Sequence, residues 1–511
     1  MKKILKHFII LGITFKSASM PQTPGVYIKE INPFPSAVTQ VDVAIPIFIG
    51  YTQKAGRRGK SLERLPIKVT SLNQYISAFG QGFNTRFRIV KASPGDSNAF
   101  LLNKKQVTLQ YCEHNTLYLY QAVQLFFLNG GAECYILSVG IYGEQTSFPI
   151  MLKDFTGSQK RTSIFNILDR ELHPTLVVLP DVIADTTEAY PIYQSLLNYC
   201  ATSKRHFAIL DVGQASGQQI ISDLQEFREA IGTTSLQHGA AYYPWLNCLL
   251  VDASEVNFTN LDSSVSLEEV LHNAAPGVQE LLKQIGPGIS RTKKKNIQLA
   301  LLAASPEYAR LMEAVQFKRN IMPPSGAVAG IYNFTDHTLG VWKAAANATL
   351  RGVTSVAINL TDSQQQSLLS DVTGGKYINA IRQFTGKGTL IWGARTLAGN
   401  SDDWRYITVR RSIIMLEQSI GEAMKQLLFE PNTLATWTQL KVASDDFLFT
   451  LWKQGALAGT KQQDAYHIKI GAGSTMTDND VLEGRLRMQV MVALLKPAEF
   501  LVLTFEQMQN G

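Results

Sequence analysis

Unbroken apolar runs and stretches of three-to-four spacing follow one another along the chain, the signature of buried strands exchanged with helices. Alternation over 41–45 leads into a continuous apolar run at 47–51, which predicts a strand entering a buried sheet. The apolar positions of 117–127 suit a buried helix, Asn129-Gly130-Gly131 supplies a left-handed stop, and 134–139 follows as a strand. The unit recurs as a strand at 176–179 ending at Pro180-Asp181, a helix around 193–200 and a strand at 206–210. Strands alternating with helices imply an α/β sheet.

Between about 254 and 321 the chain is more polar, with helices expected at 266–273 and 306–317; this reads as an insertion or connecting region. Beyond Pro323-Pro324, strands are expected at 353–360 and 388–392 and a helix at 411–428. In that helix Ile413, Leu416, Ile420, Met424 and Leu427 lie three or four apart while Glu417, Glu422 and Lys425 fall elsewhere, so one face is expected to be buried.

Both ends carry strand-like segments without a local partner. Residues 23–31 are extended in character and fenced by Pro24, Pro33 and Pro35, which rules out a helix. A strand so isolated must pair with another sheet edge, including one on another subunit. At the other end, 496–505 reads as a strand introduced by Pro497.

A chain of 511 residues is too long for one compact core, so two or three domains, or a core with a large insertion, are expected. Hydrophobic residues at 45%, charged residues at 17% and a mean hydropathy of -0.01 describe a globular composition with ample core material. The net charge is +7, but the only dense basic run, Arg291, Lys293, Lys294 and Lys295, reads as a solvated loop. No basic face with interleaved aromatics and no nucleic-acid motif accompanies it, so no nucleic-acid partner is expected.

Cys112, Cys134, Cys200 and Cys248 show no metal-site spacing and read as thiols in a reducing compartment. Residues 1–7 are basic, 8–15 apolar, and Ser17 and Ser19 are small, which is signal-like. The competing reading, preferred here, is an upstream start extension with Met20 as the natural start. No run of eighteen or more apolar residues occurs, so no membrane-spanning segment is expected.

The search for chemistry yields turns and caps. Gly286-Pro287-Gly288, Gly386-Lys387-Gly388 and Gly471-Ala472-Gly473 complete no phosphate loop. Cys112-Glu113-His114 and Asp336-His337 form no metal spacing, and there is no GxSxG elbow. Asp478-Asn479-Asp480 lacks the glycine and glutamate of a calcium loop, and capping is the better reading. No catalytic residue, cofactor or metal is therefore assigned, and no enzymatic activity is expected. The rival is an α/β hydrolytic or nucleotide-binding enzyme with a cleft beside Pro180-Asp181. A second rival, a secreted surface-lattice protein, follows if residues 1–19 are a working signal.

Thr23-Pro24-Gly25-Val26-Tyr27, Phe127-Leu128-Asn129-Gly130-Gly131 and Ala240-Ala241-Tyr242-Tyr243-Pro244-Trp245 follow one another in the amino half, and this ordered set of segments, with those of the carboxyl half, resembles the tail sheath family of contractile phage tails, R-type pyocins and extracellular contractile injection systems. Pro323-Pro324-Ser325-Gly326, Ala329-Gly330 and Gly340-Val341-Trp342-Lys343-Ala344-Ala345-Ala346-Asn347 resemble the entry to the family's conserved domain, with Ala345 where proline is common. Trp392-Gly393-Ala394-Arg395-Thr396, Trp404-Arg405-Tyr406, Phe429-Glu430-Pro431-Asn432, Gly455-Ala456-Leu457 and Lys496-Pro497-Ala498-Glu499-Phe500 follow in the family's order.

The resemblance implies a mixed α/β (α+β) fold: a conserved sheath core from the carboxyl half plus the amino-terminal strand segment, an inserted α/β domain, and extended strand arms at both ends. The expected divisions are 1–19 (extension or signal-like), 20–52 (arm and first core strands), 53–320 (inserted outer domain) and 321–511 (conserved domain with carboxyl arm). The implied role is a structural sheath subunit, assembled in the cytoplasm, extended and metastable until it contracts to drive a tube through a target envelope. Its implied partners are further copies in stacked hexameric rings, an inner tube protein, and baseplate and terminal cap proteins, with neither nucleic acid nor membrane insertion. Val26, Tyr27 and Ile28 of the amino arm and Phe500, Leu501, Val502 and Leu503 of the carboxyl arm are the expected inter-subunit strand residues.

Overall fold

The apolar run at 47–51 becomes strand β2 (Pro46–Thr52), buried at every position, as a strand covered on both faces must be. Around it nine strands form one sheet: β3 (Ile67–Val69), β4 (Cys134–Ile141), β5 (Leu176–Val178), β6 (Phe207–Asp211), β7 (Gly239–Tyr243), β8 (Ala348–Thr349), β9 (Ile378–Phe384) and β10 (Gly388–Trp392) with β2. The order is β8-β10-β9-β7-β6-β5-β2-β4-β3. From β4 to β9 the neighbours run parallel, and β10, β8 and β3 pair antiparallel at the margins.

This is a computed structural model, and it describes residues 8–14 and 37–499 apart from 97, 160, 171–174, 215–219, 272–275, 287 and 370–373. The chain forms two compact units. The larger comprises 44–334 and 345–400, the smaller 1–43, 335–344 and 401–511. The mixed α/β fold is the one expected.

In the larger unit, helix α1 (Leu119–Leu128) connects toward β4 and packs on β2, and α2 (Thr186–Ser203) packs on β6. Gly130, at φ +91°, supplies the left-handed turn after α1 that the sequence called for. Helix α3 (Ser325–Leu339) crosses α1 at close range: a Cβ on Gly326 would lie 2.4 Å from the Ala122 carbonyl oxygen, and one on Gly330 2.6 Å from that of Phe126. A second apolar core joins the antiparallel strands Phe87–Lys91 and Lys105–Tyr111 to helices Arg291–Ala304 and Pro306–Arg319, through Phe87, Leu109, Leu301, Tyr308, Leu311 and Val315.

The basic run expected as a loop is instead the first turn of the helix Arg291–Ala304. Ser290 caps it by accepting from the Lys293 N–H, and Ile297 and Leu301, four apart, bury its inner face. Arg291, Lys293 and Lys295 remain exposed. Other spans shift: no strand covers 41–45 and the strand expected at 353–360 is confined to Val353–Val356, while of the helix expected at 266–273 the described part is Leu267–Val270 and residues 272 and 273 lie outside the described residues.

The smaller unit is built on two twenty-residue helices, α4 (Ile407–Gln426) and α5 (Leu434–Lys453), and on strands β11 (Tyr466–Ile470) and β12 (Arg487–Ala493). Helix α4 departs from the expected single buried face: every residue from Ile407 to Leu416 is buried, including Arg410 and Arg411. The charged positions tolerate this because they find partners, Arg410 over the Trp404 ring at 5.0 Å and Arg411 on Asp336. Among the described residues no helix is long and apolar enough to cross a membrane.

Candidate strand-docking site

Strand β12 reads Arg-Met-Gln-Val-Met-Val-Ala, and its period of two puts Met488, Val490 and Val492 in the core while Arg487 is exposed. One edge pairs antiparallel with β11, from Tyr466 opposite Val492 to Ile470 opposite Met488. The inner face rests on α5, whose Leu440, Ala443, Phe447, Leu448 and Leu451 are buried and whose Ser444 hydroxyl contacts the Met488 sulfur at 3.9 Å. The Tyr466 hydroxyl donates into Asp445 at 3.1 Å; burial, then that carboxylate, raises its pKa.

Both ends of β12 are fastened. Asp480 accepts from the Thr477 N–H and hydroxyl and from Arg485 and Arg487, which hold its carboxyl down at about 2. At the far end the Ala458 N–H donates to the Ala493 carbonyl at 2.7 Å. Beyond it the Lys496 ammonium donates to the Asp402 carbonyl at 2.8 Å.

The second edge of β12 carries strand β1 (Phe8–Thr14), antiparallel, with Phe8 opposite Ala493 and Thr14 opposite Arg487. The segment read from sequence as a signal-like or upstream extension is thus the third strand of this sheet. The expected exchange residues Val26, Tyr27, Ile28, Phe500, Leu501, Val502 and Leu503 lie outside the described residues. Of the expected final strand at 496–505, the described part, 496–499, carries no strand assignment. The acceptor hairpin β11–β12 was not anticipated, although the alternation of Met488, Val490 and Val492 was available to reveal it.

The residues proposed for a rival enzymatic cleft are committed elsewhere. The parallel strands β4-β2-β5-β6-β7 have the order 2-1-3-4-5 of a doubly wound sheet, which binds ligands where the order reverses, here between β2 and β5. That point is filled by Asp181. Its carboxylate accepts from the backbone N–H groups of Tyr51 at 2.7 Å, Tyr118 at 2.6 Å and Leu119 at 2.7 Å, sitting at the amino end of α1 as a bound anion would. Complete burial raises its pKa to about 6 against the pull of the three donors.

A neighbouring cleft of about 490 Å³ is lined in part by Cys112, Glu113, His114, Asp185, Asp223 and Glu226. Burial and the nearby Asp262 push the Cys112 thiol up, the opposite of what a nucleophile needs. Among the described residues no group of three or more metal-ligating side chains converges. Cys134, Cys200 and Cys248 are buried and Cys112 half-buried, and none forms a disulfide.

A model of the phage tail sheath C-terminal domain matches residues 400–508. The tail sheath protein of Vibrio phage KVP40 is 22% identical over 256 residues, which is 49% of this chain and 36% of that protein. The match therefore spans about a third of the length of that curated relative. The sheath of an extracellular contractile injection system, PVC, in its contracted state is 26% identical with a TM-score of 0.60, over 96% of this chain and 99% of the other. The contracted helical sheath of the anti-feeding prophage is 26% identical with a TM-score of 0.59, over 96% and 100%.

Proposed function

We propose that the chain, which is similar to contractile tail sheath proteins, works as the sheath's lattice subunit, joined to its neighbours by main-chain strand pairing at the β12 edge. The observation that carries this is the β11–β12 pair itself, a two-stranded platform on α5 whose outer edge accepts a seven-residue antiparallel strand. A pair of strands is marginal alone and gains from a third. Strand addition draws its affinity from backbone groups, so it accepts a strand from another copy as readily as from its own.

In the assembled machine the donors are the amino arm, through Val26, Tyr27 and Ile28, and the carboxyl arm, through Phe500, Leu501, Val502 and Leu503. Copies stack as hexameric rings around a tube protein, capped at one end and resting on a baseplate at the other. Residues 321–511 with the amino-terminal strand segment form the conserved sheath domain toward the tube, and 53–320 form the outer insertion. Assembly takes place in the cytoplasm.

Main-chain pairing tolerates rotation at the proline-rich linker around Pro33 and Pro35, whereas side-chain packing between surfaces does not. The lattice therefore exchanges one packing for another without coming apart. The extended form is a kinetic trap above the contracted one, and release needs no nucleotide. The filled Asp181 site, which leaves no anion position at the sheet's switch point, supports this over the enzymatic reading.

Deleting residues 20–35 tests the assignment. The expected product is folded and soluble, yet forms no sheaths with its tube protein in negative-stain microscopy; sheaths that still form and contract would remove the amino arm from the mechanism.

A further inference from the structure

We propose that, in the free subunit, the chain's own segment Phe8–Thr14 acts as an assembly brake by closing the β12 edge that a neighbour's arm must enter. The inference rests on the reading of that edge as the exchange site.

The geometry carries it. Strand β12 is seven residues long, and β1 pairs with all seven, from Ala493 to Arg487. The opposite edge is taken by β11 from Val492 to Met488. With β1 in place, neither edge of β12 has a free run long enough for another strand. The sequence of the occupant suits the position: Phe-Ile-Ile-Leu-Gly-Ile-Thr holds three isoleucines and a threonine, residues that favour strands, and no charge or proline to discourage pairing.

The competition is unequal. A strand tethered to the same chain competes at an effective concentration on the order of millimolar, whereas an arm on another subunit is present only at the concentration of free protein. A site open for only a fraction of the time binds its partner more weakly by that fraction. Subunits that retain Phe8–Thr14 are therefore held as monomers until their concentration is high or the segment is removed. Chains that begin at Met20 have an open edge.

Three proteins test this: the chain from Met1, the chain from Met20, and the Met1 chain carrying Ile10→Pro with Leu11→Pro, one of which must remove an N–H directed at β12 because successive N–H groups of a strand alternate between its two edges. Two readouts are taken, the concentration at which sheaths first form with the cognate tube protein, and hydrogen exchange of the β12 amides in the monomer. The expected result is protected β12 amides and late assembly for the Met1 chain. The other two should show faster exchange and a threshold lower by on the order of tenfold, as release of a tethered competitor predicts. Equal thresholds and equal exchange in all three would overturn the brake while leaving strand exchange intact. Failure of all three to form sheaths at any concentration would overturn the sheath-subunit reading, and the brake with it.

Discussion

Arg411 and Asp336 meet at two points inside the smaller unit: Nη1 donates to Oδ1 at 3.0 Å, and Nη2 donates to Oδ2 and also to the Val43 carbonyl at 2.9 Å. Their side chains are 4% and 6% exposed, so both charges have left water. Burial raises the Asp336 pKa even with the guanidinium beside it. Val43 closes the segment that follows the amino arm, and the Val41 N–H is held on the Ser419 hydroxyl of α4 at 2.9 Å. The segment leading into the core is therefore pinned to α4 at Val41 and Val43.

Removing one partner strands the other. Arg411→Met should cost about 3–5 kcal/mol in urea unfolding, because Asp336 keeps a buried charge without compensation. The double change Arg411→Met with Asp336→Leu should recover most of that loss. A single variant as stable as the parent would show that the pair is not the anchor.

Asp211 in the larger unit ties β6 to α3, its carboxylate accepting from the Ser325 N–H at 2.8 Å and hydroxyl at 2.6 Å, yet full burial lifts its pKa to about 7. A carboxyl whose folded pKa is raised contributes its full stability below the unfolded value and loses it as pH climbs through the folded one. Between pH 4 and pH 8 the parent should lose on the order of 4 kcal/mol relative to Asp211→Asn, about three pKa units, read as the difference between urea curves. Parallel pH profiles for the two proteins would contradict this.

Gly326→Ala places a methyl group 2.4 Å from the Ala122 carbonyl and 2.6 Å from its Cα, backbone atoms that cannot swing aside. The two helices must separate, at about 1–3 kcal/mol. Thermal melting and urea unfolding should both show the loss, and an unchanged midpoint would mean the crossing is looser than the structure has it.

Phe429 sits at φ +74° with 81% of its surface in solvent, a conformation bulky side chains rarely adopt. Phe429→Gly should stabilise the isolated subunit by about 1 kcal/mol, since relief of backbone strain outweighs the added freedom of the unfolded chain and little packing is lost. If the free protein is destabilised instead, the ring is making contacts that exposure does not reveal.

Much of the larger unit was legible residue by residue. The strand expected at 47–51 appears as Pro46–Thr52, the helix at 117–127 as Leu119–Leu128, and the strand at 206–210 as Phe207–Asp211, because each is announced by its own apolar run and its own stop. The basic run at 291–295 misled because charge describes only the outward face, while Ile297, Leu301 and the Ser290 cap set the conformation.

The docking site was half legible. Alternation at Met488, Val490 and Val492 marks β12 as a half-buried strand. Its neighbours are another matter, since backbone groups pair without regard to side chains and leave no mark on the pattern of either partner. Phe8–Thr14 and Arg487–Ala493 are separated by more than four hundred residues, and both look equally ready to pair elsewhere.

Local order was written in the chain: which segments are strands or helices, where they stop, which face is apolar, and the run of motifs that resembles the tail sheath family. Contact over distance was settled by folding, which made Asp181 a plug at the sheet's switch point, Arg411 a buried tie to Val43, and the leading apolar segment a strand on β12. The reason is physical: periodicity records how a segment meets water, whereas hydrogen bonds and ion pairs depend on which groups the fold brings within about 3 Å of one another.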